Sequence, residues 1–80
     1  MATAKISIKK DLNGLYYATW GIKGNGYSVY NPGTSFYEEK DDAVQEARDQ
    51  VIKYWENSFE GKKSDGDLEF FIEDNTYGYF

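Results

Sequence analysis

Residues 40–59 constrain this chain's fold more than any other stretch, because they alone are long enough and periodic enough to predict a helix. With residues placed at 100° per step, Val44, Ala47, Val51, Tyr54, Trp55, Ser58 and Phe59 fall within one broad arc, flanked by Ala43 and Ile52. An apolar stripe of that width belongs to a helix lying on a sheet. Val51 and Trp55 are therefore expected between the two layers. Arg48 interrupts the apolar side, and its aliphatic stem is expected on the sheet edge with the guanidinium at the rim.

The opposite side of the same helix reads Asp42, Glu46, Asp49, Lys53, Glu56, Glu60. Steps of three and four residues put these side chains in one row, and only Lys53 in it is not acidic. Like charges at this spacing cost a few tenths of a kcal/mol per pair. The row reads either as a solvated face that keeps a small domain soluble or as a surface for a cationic partner. Asp42, Glu46, Asp49, Glu56 and Glu60 are the candidate partner-binding residues.

Around the helix the pattern changes to short alternating runs. Ala4–Lys10 sets Ile6 and Ile8 against Lys5, Ser7 and Lys9, which predicts a half-buried strand. Asp11–Gly14 ends in Asn13-Gly14, a strong hairpin signal because both residues accept positive φ. Leu15–Ile22 is the second strand, with Tyr16, Ala18, Trp20 and Ile22 on one face and Leu15, Tyr17 and Thr19 on the other. Lys23–Gly26 turns again at Asn25-Gly26, and Gly26–Asn31 is the third strand, broken by Pro32-Gly33. Ser35–Glu38 is expected as a short edge strand, with Asp41 capping the helix. The alternative is a capping box, Ser35-x-x-Glu38, that opens the helix earlier. Gly61 suits the position just past the helix end. Leu68–Glu73 is a strand, and Tyr77–Phe80 a short final one. The expectation is one α+β domain over residues 1–80. It is an antiparallel sheet of four to six short strands with one amphipathic helix across one face, in the order β-β-β-(β)-α-β-(β).

A chain of 80 residues is marginal as a folding unit. Eight Tyr, five Phe and two Trp supply the buried area that length alone does not. Absence of Cys and His removes the common nucleophile–base pairs and thiolate or imidazole metal sites. Asp65, Asp67 and Glu69 alternate as in the opening of a calcium loop, but no carboxylate follows at the twelfth position. The expectation is no catalysis, no metal and no cofactor. No apolar run approaches the ~18 residues of a membrane helix, and Met1–Lys10 has no signal-peptide core. A cytoplasmic protein away from membranes is expected.

Charge is distributed unevenly. Residues 1–37 carry four Lys and one Asp, whereas residues 38–80 carry five basic and thirteen acidic side chains, for a net charge of −5. That balance argues against phosphate-driven nucleic-acid binding, so direct DNA binding is not expected. It suits a protein partner with a basic surface, itself nucleic-acid-binding. A helix covers only one face of a sheet, so sheet aromatics are a second candidate surface. Tyr16, Trp20 and Tyr30 are its residues, suited to a partner, a homodimer contact or stacking on RNA bases.

Tyr16-Tyr17-Ala18, the Gly33-Thr34 turn and Ala43-x-x-x-Ala47 on a helix resemble HicB-type antitoxins, which are β-β-β-α-β domains; the resemblance covers about residues 4–57. It implies a module that neutralises a small RNase toxin. In size, acidity and α+β architecture the whole chain also resembles the phage-encoded inhibitors called anti-CRISPR proteins. That resemblance implies direct binding to a nucleic-acid-handling complex, with carboxylates occupying sites meant for phosphates as a DNA mimic does.

Overall fold

The computed structural model describes residues 2–24, 27–57 and 68–76. Four strands and one helix follow in the order β1 (Ala2–Lys10), β2 (Tyr16–Gly24), β3 (Tyr27–Asn31), α1 (Lys40–Asn57) and β4 (Leu68–Asp74). They form one α+β domain. In the sheet the order is β3-β2-β1-β4. β1–β2 and β2–β3 are antiparallel, but β4 runs parallel to β1. The sheet is therefore mixed, not antiparallel throughout. Two hairpin reversals leave β3 pointing the same way as β1, α1 carries the chain back across the sheet, and the strand after it must again run with β1.

Alternation places the core as expected. Ala2, Ala4, Ile6 and Ile8 of β1 and Ala18, Trp20 and Ile22 of β2 are buried on one face, opposite Ala43, Ala47, Val51 and Trp55 of α1. Ile6, Ile22 and Val51 are the largest side chains wholly removed from water. The helix sits about 30° round from the predicted orientation at 100° per residue. Its buried line is centred between Ala47 and Val51; Val44 is half-buried, and Tyr54 and Ile52 are exposed. Two alanines in the first half of the helix let its backbone approach the large residues of the sheet, where Val44 and Tyr54 would hold it off. Tyr54 instead leans on the rim of Trp20, ring centroids 6.0 Å apart. Arg48 lies over the Phe70 ring of β4 at 4.7 Å, so the edge it covers is that strand.

At the first turn Asp11 accepts the N–H groups of Asn13 and Leu15 on its carboxylate, each at 2.9 Å. Gly14 takes a positive φ, 84°, as the Asp11–Gly14 turn requires, and its N–H donates to the Asp11 carbonyl at 3.1 Å. The Asn25-Gly26 turn, Gly61 and Tyr77–Phe80 lie outside the described residues.

The predicted strand Ser35–Glu38 is reduced to a single bridge, in which Tyr16 and Tyr37 exchange backbone hydrogen bonds of 2.7 and 2.8 Å. Upstream, the Ala18 N–H donates to the Thr34 hydroxyl (3.1 Å) while the Thr34 N–H donates to the Ala18 carbonyl (2.8 Å). A side-chain oxygen here takes a partner that a ladder would give to a carbonyl. The helix begins at Lys40, which puts Asp41 inside its first turn and excludes both the Asp41 cap and the earlier capping box. Asp74 closes the far end. It accepts the side chain of Lys40 at 2.9 Å and the Thr76 hydroxyl at 2.6 Å, and those bonds, Thr76's first, hold its pKa down to about 2.

Candidate functional site

The acidic row divides by environment. Asp42, Asp49 and Glu56 are exposed. Seven residues separate each from the next, which at 1.5 Å per residue is roughly 10.5 Å along one line of the helix. Among the described residues Asp49 accepts only the side-chain amide of Gln45 (2.9 Å). Asp41 in the first turn and Glu38 and Glu39 before it, also exposed, extend the negative surface past the helix N-terminus. Glu60 lies outside the described residues.

Glu46 does not belong with them, although the sequence puts it in the row. It is half-buried and already committed. One oxygen accepts the Tyr37 hydroxyl at 2.6 Å and the Ser35 N–H at 3.3 Å, and the other accepts the Gln50 side-chain amide at 2.7 Å. Gln50 in turn accepts the indole N–H of Trp20 at 2.9 Å. The four side chains form one chain of hydrogen bonds from the sheet, through the helix, to the loop before it. The bond to Glu46, then burial and the negative charges of Glu46 and Asp42, push the Tyr37 phenol above its ordinary value. Glu46 is a clamp for the loop, and its carboxylate is not offered to a partner.

The three candidate aromatics do not share a surface. Trp20 is 4% exposed and lies under the helix. Tyr16, on the same face, is half-buried between Lys10 and Lys40, whose ammonium groups stand 5.6 and 5.7 Å from its ring centre. Tyr30 pairs with Gly21, an odd position of β2, and so points away from the helix; it is 69% exposed. Seeing this from sequence requires the β2–β3 register, which composition does not supply.

The face opposite the helix is the uncovered sheet surface expected from the sequence, but of the three candidate aromatics only Tyr30 stands on it. Along β1 and β2 it carries Thr3, Lys5, Ser7 and Lys9 beside Lys23, Gly21, Thr19 and Tyr17, and β3 adds Ser28 and Tyr30. All of these residues except Tyr17 line an open groove of about 470 Å³. The period-two lysines of β1, at positions 5 and 9, are its signal in the sequence. Phe71 of β4 and Phe36, packed edge-on against Tyr17 at 5.2 Å, stand exposed at its margins. Lys5 pairs with Glu73 across the β1–β4 seam at 3.0 Å, which holds the Glu73 carboxyl below its usual value.

Among the described residues no three metal-ligating side chains cluster, and no helix is long and apolar enough to cross a membrane. Fold and surfaces together define a single-helix α+β domain with one acidic and one lysine-bearing face. Comparison with protein-family models, curated proteins and solved structures returns no match.

Proposed function

We propose that this chain is a non-enzymatic, cytoplasmic inhibitor that binds a nucleic-acid-handling protein complex through its acidic helix face, with an anti-CRISPR protein the most concrete form. The supporting observation is the line Asp42, Asp49, Glu56, three exposed carboxylates on one rigid element. A helix fixes their spacing, so a partner's lysines and arginines meet them without the cost of ordering a loop. At steps of about 10.5 Å the line offers three separate contacts. Such charges accelerate encounter with a cationic surface and compete there with phosphates.

The test is a cleavage assay in which CRISPR effector complexes meet target DNA with and without the purified chain. The parent should inhibit at least one effector. The double reversal Asp42→Lys with Asp49→Lys should keep the fold, bind more slowly and lose most of the inhibition. Inhibition of no effector, or equal inhibition by the double reversal at low salt, would sink the reading.

A further inference from the structure

In a chain of net charge −5, the groove on the sheet's open face is lined by three lysines and no carboxylate. Net charge alone predicts no affinity for phosphates, yet the fold has sorted the charges. Seven of the described carboxylates lie on α1 and the segment before it, Glu69 and Glu73 stand on β4 at the margin of the open face, and β1 to β3 present only lysine, hydroxyl and aromatic groups on the side away from α1. Lys9 and Lys23 make no ion pair among the described residues, and Lys5 shares its one partner, Glu73, at the groove's far margin.

The middle of this face is built for a flat group. Pairing sets Tyr30, Gly21, Lys5 and Phe71 in one row across the four strands. Gly21 is there for the backbone, because a Cβ would meet the Val29 carbonyl oxygen at 2.9 Å. Its consequence for the surface is a bare floor between an exposed tyrosine ring and an ammonium group. A planar base fits against Tyr30 over that floor, with its phosphate toward Lys5. Lys23 sits one row to one side and Lys9 two rows to the other. Six residues separate the outer rows, about 20 Å at strand rise, so the track accommodates a few nucleotides. Thr3, Ser7, Thr19 and Ser28 add hydroxyls along it. Stacking on aromatics beside a cationic track is how single strands are held without sequence preference.

We propose that the open sheet face binds single-stranded nucleic acid, with Tyr30 stacking a base and Lys5, Lys9 and Lys23 contacting phosphates. The face is independent of the helix line in the proposed inhibitory role, and the two can fail separately. Because the remainder of the molecule is acidic, binding is local. Glu69 and Glu73 of β4 border the track, and binding, carried by phosphate contacts, weakens as salt rises.

The test is fluorescence anisotropy with end-labelled, mixed-sequence eight-residue RNA and DNA single strands and a DNA duplex, at 0.1 M salt. Either single strand should saturate below about 100 µM protein, the weak end of non-specific binding, and the duplex should bind more weakly. Tyr30→Ala should weaken binding by roughly tenfold, in line with loss of one stacked base. Lys9→Ala and Lys23→Ala should each weaken it severalfold and flatten the log–log salt slope by about 0.7. Asp49→Asn should leave it within twofold. Lys23, Tyr30 and Asp49 are exposed and Lys9 is half-buried, and an unchanged melting temperature confirms the fold of each variant. The proposal is overturned if neither strand saturates, or if Tyr30→Ala binds like the parent. It is equally overturned if an oligoglutamate peptide displaces the strand at equal charge, which would make the groove a general anion surface.

Discussion

Glu46 and Asp49 lie one turn apart and look equivalent in sequence, yet the structure gives them opposite roles. Replacing Glu46 by Ala removes the acceptor for the Tyr37 hydroxyl, the Gln50 amide and the Ser35 N–H, and leaves Gln50 to hold Trp20 alone. A hydrogen bond to a charged group contributes about 1.5–3 kcal/mol, but the site is half open to water and Ser35 re-solvates freely, so a net loss near 1–2 kcal/mol is expected. For a domain of this size that is a fall in Tm of roughly 5–15 °C. Asp49→Ala, at an exposed position, should stay within about 0.5 kcal/mol. Thermal unfolding by circular dichroism measures both. A second readout is specific to the contact. The Tyr37 phenol is held neutral by Glu46, so Glu46→Ala should advance one tyrosine in an absorbance titration above pH 10. Equal melting of the two variants, or an unchanged tyrosine titration, would refute the assignment of Glu46 as a clamp.

Val51→Asp should abolish cooperative unfolding, because an unpaired charge in a wholly buried site costs 3–5 kcal/mol or more, comparable with the stability of a small domain. A melting temperature near the parent's would show that the buried helix face is misassigned. Gly14→Val has no neighbour to strike, so its effect isolates backbone strain at φ 84°; a loss of about 1–2 kcal/mol is expected in chemical denaturation. Asp74 has its pKa depressed from 3.8 to about 2 by Thr76 and Lys40. A carboxyl depressed in the folded state contributes stability above its unfolded pKa and loses it as pH falls through the folded one. The parent should therefore lose Tm between about pH 4 and pH 2 more steeply than Asp74→Asn, and parallel curves would refute a stabilising role for its bonds to Lys40 and Thr76.

Where one residue type answers one local demand, the sequence is easy to read. Ile6 and Ile8 against Lys5 and Lys9 give the strand and its inner face, and Val51 and Trp55 lie where a 3.6-residue period puts them. Pairing is harder to read. The direction of β4 depends on the number of reversals before it, and the side on which Tyr30 emerges depends on its register with Gly21. The rotation of α1 toward Ala43 and Ala47 depends on how closely a helix approaches a particular sheet, which large residues in the sequence obscure. Glu46 was legible as a helical carboxylate but not as a half-buried acceptor, because Tyr37 and Gln50, and Trp20 through Gln50, come together with it only in three dimensions. The acidic candidates were visible from spacing. The basic, aromatic character of the N-terminal strands was visible too, but which of their side chains share one groove depends on the register of three strands.

The parallel seam between β1 and β4 has a consequence for how the chain folds. β1 is an inner strand, yet its two flanks are completed at very different distances along the chain. One is closed by the adjoining hairpin, while the other pairs Ala2 with Leu68 and Ile8 with Asp74. Closing that second seam loses loop entropy before any contact returns it, and long-range pairings of this kind are slow. The meander of β1, β2 and β3 is expected to assemble first, leaving the outer flank of β1 open as a template until β4 arrives. A second copy's β4 satisfies the same hydrogen bonds in the same register. Refolding at high concentration should therefore divert part of the protein into strand-exchanged dimers, whereas dilute refolding returns the monomer.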